Sequence, residues 1–357
     1  MDMRFVSDRG LPGASRRERP AWMLVGLLLG ALVAPARTLR ATSETVTIVL
    51  PPKLMAGHPA TLAVLGVDGK LAPAVNVELG EGQTITTDRT GRAVFHVPAD
   101  GNYLLAKGAG AEAAALIDPA VAQAEPSAVA LPPIVSLNDR FWICGAGLRG
   151  NADEDSVELN DQPTLVLASS PICLVTWPGP SAQPGRATVS VEAPGVQWRA
   201  TTTLVSLKFS PPNPPLSPGQ QGQLVIRTLG SSEKLEIVAQ NRTPGVLRFV
   251  RGDTQELMTG GGSENLATVS VEVISSGDFS FSARVRVAPD LVSASRYLWA
   301  AVPLAPKDSK HRIVELAREL AQHPRDVPAL RAKVAKLAQG TMAGDFQTLL
   351  EAAEGAL

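Results

Sequence analysis

Ala267-Thr268-Val269-Ser270-Val271-Glu272-Val273 alternates apolar and polar residues without a slip. A period of two sends successive side chains to opposite faces of a strand, so this stretch has one covered face and one wet face. Just downstream, Phe279, Phe281, Ala283, Val285 and Val287 alternate with Ser280, Ser282, Arg284 and Arg286. The two runs define a β-sandwich over residues 207–288, entered through the hinges Pro211-Pro212-Asn213-Pro214-Pro215 and Ser217-Pro218-Gly219. The six residues Ala187–Glu192 repeat Ala267–Glu272 letter for letter, about one sandwich length upstream. Either a module has been duplicated, or half-buried strands draw repeatedly on Val, Thr and Ser.

The same reading extends toward the N-terminus. The chain has 357 residues, enough for several modules, and its 31 Gly and 29 Pro are spread along its length as in a loop-rich β protein. Over residues 37–118, strand-like runs are predicted at Thr45–Leu50, Thr61–Val67, Ala74–Leu79, Gln83–Thr87, Ala93–Val97, Tyr103–Ala106 and Ala111–Ile117. Between them lie Asp68-Gly69, Glu81-Gly82, Asp88-Arg89-Thr90-Gly91 and Asp100-Gly101, all turn chemistry. Thr87-Asp88-Arg89-Thr90-Gly91-Arg92-Ala93-Val94-Phe95 resembles the T-D-x-x-G-x-a-x-F hairpin of bacterial Ig-like and carboxypeptidase-regulatory-like domains. That resemblance implies a fold and no activity. A Pro/Ala-rich linker follows over residues 119–133.

Residues 134–206 form a second module. Ile134-Val135-Ser136, Phe141-Trp142-Ile143-Cys144-Gly145, Val157-Glu158-Leu159, Val166–Pro171 and Ala187–Glu192 follow one another in the order and spacing of an IPT/TIG domain, which this segment resembles. The resemblance implies an Ig-like sandwich in which the strands carrying Cys144 and Cys173 are neighbours. By alternation Cys144 shares a face with Trp142, and Cys173 with Val175 and Trp177. These are the only two cysteines. In an oxidising compartment they pair, closing a loop of about 30 residues worth roughly 3–4 kcal/mol; in a reducing one they stay as buried thiols. Asn151, Asp153, Asp155 and Glu158 make an acidic loop that either binds calcium or is solvated; Ser156 and Gln162 stand where an EF-hand needs Gly and Glu.

The tail, residues 289–357, changes period from two to 3.6. Ile313, Leu316, Ala317 and Leu320 share one helix face, with Asp308 or Ser309 as N-cap. Leu330, Val334 and Leu337 share another, in a helix capped by Asp326 and ended by Gly340, and Asp345 opens a third with Phe346, Leu349 and Leu350. Helices this short need tertiary support. They pack on each other, on the third sandwich through Tyr297, Leu298 and Trp299, or on a partner, with docking inside the chain preferred.

Location is set by residues 1–36. Arg16, Arg17 and Arg19 precede an uncharged run from Ala21 to Ala34 that ends in Ala34-Pro35-Ala36. This layout is that of a secretory signal with the mature chain starting at Arg37. Left uncleaved, it becomes an N-terminal membrane anchor, although a span of about 20 apolar residues is the norm. A buried soluble helix is the third alternative. The chain is therefore expected to be exported to the periplasm, the cell surface or the exterior.

Several functions lack their residues. A net charge of −1 leaves no footprint for nucleic acid. His58, His96, His311 and His323 are scattered, and no nucleophile elbow, zinc motif or cysteine cluster is present. Arg251-Gly252-Asp253 and Gly260-Gly261-Gly262 read as turns. The expectation is a mainly β, non-enzymatic protein without cofactor or metal: tandem Ig-like antiparallel sandwiches with a C-terminal helical segment. Its modules bind another envelope protein or serve a structural role. The alternative is a glycan-binding or adhesion module with Trp177 or Trp198 as stacking platform, decided by whether those indoles line a groove or lie in the core. Membrane contact is expected only through the N-terminal segment.

Overall fold

A computed structural model describes residues 46–120, 129–212, 216–322, 324, 326–340 and 344–357. The leader at 1–36 lies outside the described residues, as do His323 and parts of the 119–133 linker and the 211–215 hinge. Among the described residues no helix is long and apolar enough to cross a membrane.

Four sheets build three sandwiches, and two of the sheets are shared between consecutive modules. The first sheet runs in the order Thr47–Val49, Pro59–Leu65, Leu165–Ser169, Cys173–Trp177, Phe141–Cys144, with Arg92–His96 also paired to Pro59–Leu65. It therefore takes strands from both the first and the second module. The second sheet, in the order Lys53–Met55, Ala111–Asp118, Tyr103–Gly108, Asn76–Leu79, Gln83–Thr86, closes the first sandwich. The third sheet runs Gln162–Pro163, Ser156–Leu159, Gly185–Ala193, Val196–Ser210, Gln221–Leu229, Leu266–Val273, Leu247–Phe249, with Ile134–Ser136 alongside Val196–Ser210. A three-stranded sheet of Thr254–Met258, Glu236–Asn241 and Phe281–Val285 covers the third core. Pairing is antiparallel except at two short places, Lys53–Met55 on Ala111–Asp118 and Ile134–Ser136 on Val196–Ser210.

Strand Val196–Ser210 is 15 residues long and passes unbroken through residues 206 and 207. Its first part pairs with Gly185–Ala193 and its last five residues with Gln221–Leu229. The alternation predicted for Ala267–Val273 is realised: Ala267, Val269 and Val271 are in the third core with Phe281, Ala283 and Val285. Strand Pro59–Leu65 behaves differently. Ala60, Leu62 and Val64 enter the first core, while Ala63 and Leu65 join Val49, Leu167, Ala168 and Val175 in a separate cluster between the first and second modules.

Four helices follow: α1 (Leu291–Ala301), α2 (Lys307–Ala321), α3 (Val327–Gln339) and α4 (Asp345–Ala356). Helix α1 was not foreseen as a helix. It begins where Asp290 caps it, accepting from the Ser293 backbone N–H at 2.9 Å. Asp326 caps α3 as expected, accepting from the Ala329 N–H at 2.9 Å. The expected cap of α2 needs correction: Pro306 is the cap, and Asp308 lies inside the first turn, where its charge favours the helix N-terminus.

The helices dock within the chain, chiefly on the first sandwich. Leu105 and Leu116 of the second sheet share one core with Tyr297, Leu298, Ile313, Leu316, Leu320, Leu330, Val334, Leu349 and Leu350. Arg296 pairs with Asp118 and donates to the Ile117 carbonyl at 2.8 Å. Lys53 pairs with Asp290 at 3.3 Å, and Lys107 with Asp345. The route expected through Tyr297, Leu298 and Trp299 to the third sandwich is thus mostly replaced: Tyr297 and Leu298 face the first, and Trp299 is 43% exposed. The third sandwich is met through buried Arg331, 2.8 Å from Glu236, which also binds Arg286. Each module therefore touches the next, and the last returns to the first.

Candidate functional site: module junctions and the Trp177 groove

Cys144 and Cys173 stand directly opposite one another in the ladder between Phe141–Cys144 and Cys173–Trp177. They form a disulfide with a Cα–Cα distance of 4.0 Å. Ile143 and Leu174 fill the second core, whereas Val175 and Trp177, on the face of Cys173, belong to the cluster facing the first module. Beside it, Ser170 Oγ accepts from the Cys173 N–H at 3.0 Å and donates to the Lys53 carbonyl at 2.7 Å. The disulfide thus stiffens the strand pair on which the first module is seated.

That junction also holds a buried polar seam. Thr61 Oγ1 donates to the Gly150 carbonyl at 2.8 Å and accepts from the Ala152 N–H at 3.1 Å. Arg92 Nη1 lies 2.6 Å from Asp153 Oδ1, and its Nη2 donates to the Val166 carbonyl at 2.5 Å. Gly150 has a φ of +76°, and a Cβ there would come within 2.0 Å of the Pro59 carbonyl oxygen, so only glycine fits. The acidic loop is drawn into this seam. Asp153 faces Arg92, Asn151 donates to Glu154 at 3.0 Å, and Asp155 turns inward to accept from the Ser169 hydroxyl. Burial pushes the Asp155 carboxyl above its usual range, against the Ser169 hydroxyl and the Arg149 amide. No group of three or more potential metal ligands converges among the described residues.

The two candidate indoles part company. Trp198 is 8% exposed and packs against Gly145, where a Cβ would lie 2.9 Å from its Cη2. It is a core residue of the second sandwich. Trp177 is half-buried and lines an open groove of about 550 Å³ with Pro178, Pro180, Asn138, Gln183, Ser206 and Lys208. The volume falls in the range of roughly 300–1,000 Å³ usual for small-ligand clefts. The groove exists because Val196–Ser210 runs on into the third module, bringing Ser206 and Lys208 opposite the Trp177-Pro178-Gly179-Pro180 loop.

The other singled-out residues lie apart. His58 and His96 are exposed beside the Pro59 end of strand Pro59–Leu65. His311 is exposed on α2, 3.0 Å from Glu315. Arg251-Gly252-Asp253 makes an exposed turn between two strands, and Gly262 donates to the Ser232 carbonyl at 2.8 Å in another. The junction seam escaped the sequence reading. Its signal was Pro59–Leu65 itself, which lacks the polar alternation of a strand with one wet face.

No family model matches the chain, and no curated protein matches it. Among solved structures it is similar to the full extracellular region of plexin A4, at 13% identity over 69% of this chain and 23% of that one, TM-score 0.24. It is also similar to SGBP-B of the Bacteroides ovatus mixed-linkage glucan utilization locus, solved with a mixed-linkage heptasaccharide, at 13% identity over 66% of this chain and 60% of that one, TM-score 0.18. A third is the N-terminal four Ig domains of Dscam1, at 11% identity over 65% of this chain and 73% of that one, TM-score 0.20. The chain spans less than two thirds of the first two of these structures. These are likenesses of fold alone. By its sheets the chain is a mainly β protein of tandem Ig-like sandwiches with a C-terminal helical segment.

Proposed function

We propose that this chain is an exported, non-enzymatic protein of the cell envelope whose Ig-like modules bind another envelope protein or hold a fixed structure. The observation that carries this reading is the locking of the modules. Two sheets are shared between neighbours, and the helices return to the first sandwich. A chain that spends its strands on junctions is suited to presenting surfaces at set positions. The disulfide agrees with an oxidising compartment. In this reading residues 1–36 are a signal peptide, 44–118 an Ig-like or carboxypeptidase-regulatory-like module, and 134–206 an IPT/TIG-like module. Nucleic acid has no place in it. The test is fractionation of cells expressing the protein, with mass spectrometry of its N-terminus and a photo-crosslinker placed on exposed strand Thr254–Met258. A chain starting near Arg37 in the envelope fraction, crosslinked to one protein, is expected; a full-length, reduced chain in the cytoplasm refutes the proposal.

A second reading, glycan binding at the surface, is favoured by one observation: Trp177 lines an open groove with polar neighbours. Trp198 no longer supports it, being buried.

A further inference from the structure

The groove beside Trp177 has a charge imbalance that the fold does not require. Its lining includes Trp177, whose indole also packs into the cluster toward the first module, three prolines, Asn138, Gln183 and Ser206, and one cation, Lys208, with no acidic residue. Lys208 is exposed and stands directly opposite Arg227, which is also exposed but lies outside the groove lining, in the ladder between Val196–Ser210 and Gln221–Leu229. Directly opposed residues carry their Cβ atoms on the same face, roughly 4.5–5.5 Å apart, and like charges there cost stability. Neither cation forms an ion pair with a carboxylate among the described residues.

We infer that this groove binds an acidic oligosaccharide, the pyranose face resting on the Trp177–proline wall and a uronate carboxylate bridging Lys208 and Arg227. The inference rests on the glycan reading and narrows it. An indole flanked by prolines offers a flat apolar wall of the kind that stacks on the C–H face of a sugar ring. The Gln183 amide oxygen and the Ser206 hydroxyl match ring hydroxyls, whereas the Asn138 amide oxygen is held by the Leu207 N–H at 2.7 Å; the opposed cations supply what a neutral sugar would leave unsatisfied. A carboxylate between them gains two charge-assisted hydrogen bonds and removes their mutual repulsion. An acidic peptide would satisfy the charges but makes less use of the indole wall, so it serves as the competing outcome.

The test is calorimetric titration of the full chain with tetragalacturonate, a neutral cellotetraose and a short polyglutamate, each at low and moderate salt. Tetragalacturonate is expected to bind at least about tenfold more tightly than the other two, and to weaken with salt. Lys208→Gln and Arg227→Gln, both exposed and outside any core, should each weaken it by about tenfold while leaving far-UV circular dichroism unchanged. Trp177→Phe keeps an aromatic in the junction cluster and should weaken binding of the tetragalacturonate too. Equal binding of cellotetraose with no effect of Lys208→Gln overturns the acidic specificity and leaves the glycan reading standing. Equal or tighter binding of polyglutamate replaces the saccharide by a peptide. No binding of any of the three overturns both.

Discussion

Thr61→Val is the cleanest probe of how the first two modules are joined. The substitution conserves shape, and the side chain is 1% exposed, so no cavity opens. What disappears is the hydroxyl, and with it the 2.8 Å bond to the Gly150 carbonyl and the 3.1 Å bond from the Ala152 N–H. Both backbone groups are in buried residues, with Ala152 only 4% exposed. A buried polar group left without a partner costs about 1–3 kcal/mol, so the pair predicts a loss of roughly 2–6 kcal/mol. Urea unfolding followed by tryptophan fluorescence should show the lower midpoint, because Trp177 packs at this junction. Hydrogen exchange adds a local readout: the Ala152 amide should exchange about two orders of magnitude faster or more. Thr61→Ser, which keeps the oxygen and loses a methyl, should fall much closer to the parent. If Thr61→Val unfolds at the parental midpoint with the Ala152 amide still protected, the seam does not hold the modules together.

Three further outcomes are expected. Reducing the Cys144–Cys173 disulfide, or replacing both cysteines by serine, should cost about 3–4 kcal/mol on the chain-entropy account of a 29-residue separation, read as a lower thermal midpoint. Asp155 should show the opposite pH behaviour from a salt-bridged carboxylate. Its folded pKa lies above the unfolded value, so its stabilising contribution is complete below the unfolded pKa and is lost as pH rises through the folded one. Asp155→Asn should therefore be at least as stable as the parent near neutral pH, with the advantage shrinking on acidification, measured by urea midpoints across that range. Arg331→Met should cost about 1–3 kcal/mol, less than an orphaned buried charge, because Arg286 still pairs with Glu236. Limited proteolysis should then cut between Val285 and Leu291, where the helical segment leaves the third sandwich.

Local chemistry was legible wherever it was sufficient. Turn residues bounded the strands of the first module, and the alternation of Ala267–Val273 and Phe281–Val285 marked their core faces correctly. The caps Asp326 and Gly340 delimited α3 as predicted. Helix α1 was less visible, because Ser293, Ser295, Tyr297 and Trp299 are weak helix formers and its stability comes from packing on Leu105 and Leu116. The groove was half legible: Trp177 could be singled out, but its neighbours Asn138, Ser206 and Lys208 come from segments far apart in the chain.

The sequence by itself determined the class of this protein. Periods of two and 3.6, turn residues and helix caps act over a few neighbours, and they suffice to build strands, sandwiches and a helical tail. Only the tertiary structure decided how these parts are joined. A strand such as Pro59–Leu65, apolar but for Thr61, states that both faces are covered, without stating by what. Burial energy is non-directional, so partners are selected by fit across the whole molecule: Gly150 against Pro59, Thr61 against Ala152, and the helices against the first sandwich instead of the third.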